Sequence, residues 1–126
     1  MSGHDRRAYG RRAERAARWR LFWRGYRILA RNWSCDLGEV DIIARHRDEL
    51  VFVEVKARTS EAVARPEDQV GPAKRRKLSR LLDIFLLQHP AWRQKVCRFD
   101  IVALVMDESG RVRRCEVLEN AFPYVP

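Results

Sequence analysis

Asp41, Glu54 and Lys56 bring two carboxylates and an ammonium group into segments otherwise built for burial, Gly38-Glu39-Val40-Asp41-Ile42-Ile43-Ala44 and Val51-Phe52-Val53-Glu54-Val55-Lys56-Ala57-Arg58. The apolar context predicts two strands, and a period of two then sorts their faces. Val51, Val53, Val55 and Ala57 fall on one side, with Phe52, Glu54, Lys56 and Arg58 on the other. In the preceding strand Glu39 and Asp41 oppose Val40, Ile42 and Ala44. The polar gap His46-Arg47-Asp48-Glu49 is short enough to turn an antiparallel hairpin. Such a hairpin brings Asp41 towards Glu54 on a shared face, beside Ile43 and Phe52.

Two carboxylates so placed suit a hard divalent cation. Magnesium binds through oxygen, commonly from one or two carboxylates completed by substrate phosphate oxygens. Six acids between Asp36 and Glu54, set against Arg45 and Arg47, form an acidic island in a basic chain. That contrast fits a metal held beside a polyanion. Phosphodiester hydrolysis needs an activated water and neutralisation of the charge building on the phosphate; metal ions supply both, and a lysine assists the second. Lys56, two residues past Glu54 on the same face, is placed for that. The same three residues also read as a cross-strand ion-pair cluster on a solvated sheet face, and spacing alone leaves both readings open.

The elements that must position them follow from the rest of the chain. Its 126 residues suffice for one domain with one dominant site, its core spanning about residues 9–118. A net charge of +9 and a pI near 10.3 predict attraction to polyanions, nucleic acid or an anionic membrane foremost. Only Lys56, Lys74, Lys77 and Lys95 among the 26 basic residues are lysines, a bias that GC-rich codons would also produce. No run approaches the roughly 18 apolar residues of a membrane span, and no apolar signal core follows Arg6, Arg7, Arg11 and Arg12, so a cytoplasmic protein without membrane contact is expected. Cys35, Cys97 and Cys115 are too scattered for a disulfide framework or thiolate zinc site, and His4, His46 and His89 for a histidine one.

Ala13, Ala17 and Leu21 set a narrow apolar stripe on a helix from about Arg6 to Arg24. A strand over Tyr26 to Trp33 and the hairpin of residues 39–58 then form a meander. Thr59 to Pro72 reads as a loop, with Gln69 near its end as a candidate to orient water or phosphate. Pro72 suits the first turn of a second helix, whose Leu78, Leu81, Leu82 and Phe85 recur at helical spacing before His89-Pro90. Phe99 to Met106 and Val112 to Leu118 are the last strands, and Glu119 to Pro126 is expected to be irregular. This order predicts an α/β fold with a mixed central sheet of about five strands flanked by helices. Lys74, Arg75, Arg76 and Lys77, together with Arg58, are candidates to grip phosphates. Trp19, Trp23, Trp33 and Trp92 suit core packing or a dimer contact better than base stacking, and Asp100 suits a structural hydrogen bond or ion pair.

GEVDIIA followed by LVFVEVKAR resembles the signature of the YraN family of bacterial proteins, predicted endonucleases related to archaeal Holliday-junction resolvases in the PD-(D/E)xK superfamily. The likeness extends to Gly10-Arg11-Arg12-Ala13-Glu14, to Ala17, Leu21, Gly25-Tyr26 and Ile28-Leu29, and to Lys74 through Leu78 and Arg98-Phe99-Asp100, covering about residues 9–105. It implies a restriction-endonuclease-like fold and a magnesium-dependent endonuclease, with manganese able to substitute, acting on DNA that includes branched forms. The alternative is a non-catalytic nucleic-acid-binding protein on the same fold. By the resemblance Asp41 and Glu54 are metal ligands, Val55 lends its backbone carbonyl, Lys56 positions water or stabilises the phosphate, and Glu14 supplies a third carboxylate. A homodimer is compatible with relatives that cut two strands. The chain departs from the family at Ala13, where a second glycine is usual, and at Val63-Ala64, where a Phe-Gly pair is usual.

Overall fold

Among the described residues five strands and two long helices follow one another as α1 (Gly3–Trp23), β1 (Tyr26–Cys35), β2 (Gly38–His46), β3 (Glu49–Arg58), α2 (Pro72–Gln88), β4 (Cys97–Met106) and β5 (Val112–Phe122), with short 3-10 turns at Pro66–Gln69 and Pro90–Trp92. This computed structural model describes residues 3–59 and 65–126, and the side chains from residue 10 onward. Val63-Ala64, part of the expected 59–72 loop, and the side chains of His4, Arg6 and Arg7 therefore lie outside the described residues.

The sheet runs β1-β2-β3-β4-β5 in space as in sequence. Neighbours pair antiparallel except β3 and β4, which are parallel and joined through α2. A parallel pair needs a long crossover, and an amphipathic helix supplies it while covering one face of the sheet. The other face is covered by α1. Ala13, Ala17 and Leu21 pack there on Ile42, Ala44, Val51, Val53, Val102 and Leu104. Against α2, Leu78, Leu81, Leu82 and Phe85 meet Ile43, Leu50, Phe52, Phe99, Ile101 and Phe122. The α/β class, the mixed five-stranded sheet and the two flanking helices read from the sequence are thus present. Among the described residues no helix is long and apolar enough to cross a membrane.

Strict alternation fails within β2. Ile42 and Ala44 face α1 as expected, but Val40 packs on the α2 side with Ile43. The chain changes face at Asp41, and opposite it, between the Arg31↔Ile42 and Trp33↔Val40 pairs, Asn32 takes a left-handed φ of 50°. Asparagine tolerates that conformation better than most residues do.

The hairpin turn and the tail also differ from expectation. Only Arg47 and Asp48 form the turn, Arg47 with φ 58°, whereas His46 is buried and stacked on Tyr26 at 3.9 Å between ring centroids. Asp48 pairs with Lys95 and Arg45, and Glu49 with Arg98, which separates both acids from Asp41 and dissolves the expected island. Strand β5 runs on to Phe122, where the tail was expected to be irregular. Phe122 pairs with Phe99 and stacks on its ring at 4.9 Å, so burial of an aromatic side chain carries the strand past Glu119.

Four β5 steps from Leu118 to Phe122 span two on β4, and the slack is taken up by a bulge whose Asn120 N–H donates to Asp100. Asp100 is fully buried. Its carboxylate also accepts from the Tyr26 hydroxyl at 2.7 Å and from Arg98 Nε at 3.0 Å. Arg98 in turn meets His46 Nδ1 at 2.6 Å and Glu49 at 3.2 Å. Burial, then the bond to Asp100, raises the Tyr26 phenol above its usual range. Asp100 is the structural partner its sequence context suggested. Asp100→Ala leaves the buried Arg98 guanidinium without its main counter-charge and is expected to cost about 3–5 kcal/mol in urea denaturation. Replacing both by apolar residues, Arg98→Met with Asp100→Leu, should cost less than Asp100→Ala alone.

Candidate metal centre and its basic rim

Backbone pairing of β2 with β3 runs from His46↔Glu49 to Ile42↔Val53 and stops there. Beyond it β3 keeps its parallel register with β4 through Arg58. The Val55 N–H loses its strand partner at this split, and Asp41 Oδ2 accepts from it at 2.7 Å. A backbone N–H in a half-buried position needs such a partner. Asp41 therefore lies in the opening between the strands, and its charge reaches groups on both sides of the sheet.

On the α2 side is Glu54, 7 % exposed. Its Oε1 stands 3.7 Å from Lys74 Nζ, and its Oε2 is buried with no hydrogen-bond partner among the described residues. Burial, and then the negative charge of Asp41, push the Glu54 carboxyl from its ordinary 4.5 to about 7, against the pull of Lys74 and Lys56. Burial also raises Asp41, opposed by the Val55 N–H and by Lys74. On the α1 side is Glu14, which accepts from Asn32 Nδ2 at 3.5 Å. Burial raises it, with Asp41 adding to the effect. Three carboxyls on three elements are thus held above their usual proton affinity, the pattern of an acidic site short of positive charge.

A divalent cation answers that shortage. The donor set is hard oxygen, and the unpartnered Glu54 Oε2 is the kind of buried acceptor that a cation satisfies. Among the described residues no three or more His, Cys, Asp or Glu side chains form a ready-made cage. Asp41 and Glu54 instead fit the magnesium pattern of one or two carboxylates completed by water and substrate oxygens.

The expected phosphate-gripping residues divide. Lys74 belongs to the centre itself, through its contact with Glu54. Lys77, one turn on, lays its stem over Gly38 at the start of β2, where an added Cβ would come within 3.2 Å of Lys77 Cδ. Gly38 has φ +148°, so a side chain there would be strained as well as crowded. Arg76 is exposed. Arg75 is turned inward, donating to the carbonyls of Val70 at 2.6 Å and Glu67 at 2.7 Å, and so braces the loop before α2. Arg58 lines a separate cleft of about 380 Å³ with Arg65, Glu67 and Arg114. Gln69 lies in the 3-10 turn that Arg75 braces. Sequence reasoning missed Asn32, whose only signal was an asparagine amid an otherwise good strand, and it named Lys74 as a phosphate grip without foreseeing its contact with Glu54.

The sequence model of the family described as Uncharacterised protein family UPF0102 matches residues 13–104. A UPF0102 protein of Pelotomaculum thermopropionicum is 43 % identical over 117 residues, covering 93 % of this chain and 97 % of its own length. One of Moorella thermoacetica is 42 % identical over the same shares, and one of Ectopseudomonas mendocina 38 % identical over 97 % of this chain and 98 % of its own.

Because Glu54 binds its proton more tightly folded than unfolded, its contribution to stability is complete below about pH 4.5 and is lost as pH rises towards about 7. In chelating buffer the parent should lose on the order of 2–3 kcal/mol of unfolding free energy between pH 4.5 and 8. Urea titrations of Glu54→Gln across that window should show a clearly smaller fall and greater stability than the parent at pH 8.

Proposed function

The chain belongs to the uncharacterised protein family UPF0102, and we propose that it is a divalent-metal-dependent endonuclease acting on DNA, on a restriction-endonuclease-like variant of the α/β fold. The observation that carries this reading is the buried, partnerless Glu54 oxygen beside Asp41 at the split between β2 and β3, with Lys74 against it. A structural ion-pair cluster on a solvated face would leave its carboxylates hydrated, at ordinary proton affinity. These are neither.

Magnesium, when bound by Asp41 and Glu54 with the Val55 carbonyl that the family resemblance adds, supplies Lewis-acid polarisation of a phosphate oxygen and a more acidic water. Asp41 is oriented for this by the Val55 N–H, which fixes one of its oxygens. Lys56 shares the Glu54 face and meets charge developing on the phosphate, while Lys74 and Lys77 approach from α2 and hold the flanking backbone. Glu14, held above ordinary carboxyl affinity, offers a proton site on the opposite side of the opening. The net charge of +9 draws the polyanion to this centre.

One observation favours a second reading, a non-catalytic nucleic-acid binder. Lys74 already stands at 3.7 Å from Glu54 and partly compensates it without metal. Calorimetry separates the two: a nuclease takes up magnesium or manganese at Asp41 and Glu54, and a binder that relies on Lys74 does not.

The test is incubation of the parent, Asp41→Ala and Lys56→Ala with labelled single-stranded, duplex, flapped and four-way-junction DNA in magnesium, manganese or chelator. The parent should cut in either metal and not in chelator. Both variants should fall by about a hundredfold or more while binding DNA with near-parental affinity. Equal cleavage by the parent and Asp41→Ala would sink the mechanism.

A further inference from the structure

Trp19, Phe22 and Trp23 are 64 %, 60 % and 70 % exposed at the end of α1, which is neither the core packing nor the isolation expected of surface aromatics. Their rings touch one another, Trp19 stacking on Phe22 at 6.1 Å and 16° and standing edge-on to Trp23 at 5.9 Å. A contiguous exposed aromatic patch is uncommon on soluble proteins and marks a surface that binds something.

The patch is one wall of a groove of about 630 Å³ between α1 and the sheet-edge strand β1, lined among others by Arg15, Arg18, Trp19, Phe22, Leu29 and Arg31. The helical wall comes from spacing. Positions 11, 14, 15, 18, 19 and 22 share one face of α1, so Glu14 lies on the same stripe as the aromatics. A bulge in β1 forms the opposite wall. Ile28 pairs with Ala44 and Ala30 with Ile43, which leaves Leu29 without a partner and 40 % exposed. At its other end the groove adjoins a cleft of about 350 Å³ that shares Arg15, Arg18 and Arg31 and adds Glu14 and Asn32. The aromatic patch and the Glu14 carboxylate are therefore the two ends of one track.

We propose that this track holds a single strand of DNA, its bases stacked on Trp19 and Phe22 and its phosphates on Arg15, Arg18 and Arg31, and leads it to the Glu14 end. Interleaved aromatics and arginines are what an unpaired strand requires, since every base has a π-face to stack and every nucleotide a charge to neutralise. The eight helical steps from Glu14 to Phe22 span about 12 Å of helix axis, room for about three nucleotides of a stacked strand. A duplex would offer paired bases with no free face to the rings. A second copy of the chain fits less well, because a two-fold contact here would bring the arginines of both copies together. The inference deepens the nuclease reading and rests on it for where the strand leads: a substrate with an unpaired segment next to the cleavage point.

Binding is measured in chelator by fluorescence anisotropy, with a labelled deoxythymidine oligonucleotide and a blunt duplex, for the parent, Trp19→Ala, Phe22→Ala and Trp19→Tyr. Thermal melts by circular dichroism confirm that each exposed-site variant is folded. Each alanine variant should weaken single-strand binding by about five- to a hundredfold and duplex binding by less than about twofold, while Trp19→Tyr stays near the parent. Unchanged single-strand affinity in Trp19→Ala and Phe22→Ala would overturn the proposal. So would a parental dimer in sedimentation that Trp19→Ala dissociates without loss of DNA binding. A parent that cuts DNA in magnesium but ignores Trp19 defeats the track alone, and one that binds through Trp19 but never cuts defeats the nuclease reading alone.

Discussion

The hydrogen bond from the Val55 N–H to Asp41 Oδ2 is the contact around which the rest is arranged. It replaces a strand-to-strand backbone bond by a side-chain one at the point where β2 leaves β3. Without an acceptor there, a half-buried donor would be left bare, at a cost of about 1 kcal/mol. With Asp41 in place, the sheet can open without that penalty, and the opening is where a carboxylate can be seen from both faces. The face change from Ile42 to Val40 and the left-handed Asn32 are the backbone's accommodation of the same event.

The electrostatics follow from that geometry. Glu54 and Glu14 lie on opposite faces of the sheet, and each feels the charge of Asp41, which lies between them. Left alone, such a group either takes up protons or recruits a cation. The protein supplies Lys74 from the first turns of α2, and α2 has that position because the parallel β3–β4 pair requires a crossover. A topological necessity thus delivers the ammonium group to the carboxylate. Arg75, next in sequence, braces the preceding loop and has no outward role.

A second polar cluster occupies the other end of the sheet, and the contrast is instructive. Asp100 is more buried than Glu54, yet its oxygens accept from Tyr26, Arg98 and the Asn120 N–H. Arg98 is matched again by Glu49 and His46. A satisfied network of this kind holds β1, β2, β4 and β5 in register. At the carboxylate centre Glu54 is also buried, but its Oε2 has no hydrogen-bond partner among the described residues. Asp100 and Glu54 differ in whether their hydrogen bonding is complete, a property that residue type does not reveal.

The amphipathic periods of both helices, the alternation in β3 and the run of charges inside it were all legible in the sequence, because they are local consequences of which side chains avoid water. They determined the elements, their order, the α/β class and the nomination of Asp41, Glu54 and Lys56. The family resemblance, and not the periodicity, brought in Glu14. What only the tertiary structure decided depends on contacts between distant segments. Asp48 and Glu49 are taken up by Lys95 and Arg98, Phe122 is drawn into the sheet by Phe99, and Arg75 is turned inward while Lys74 meets Glu54. The exposure of Trp19 and Phe22 is of the same kind. A narrow apolar stripe, Ala13, Ala17 and Leu21, seats α1 on the sheet, and the large rings are left outside because the seam beneath that helix is already full. Hydrophobicity is carried by the residue, but burial is decided by what the rest of the chain has already placed there.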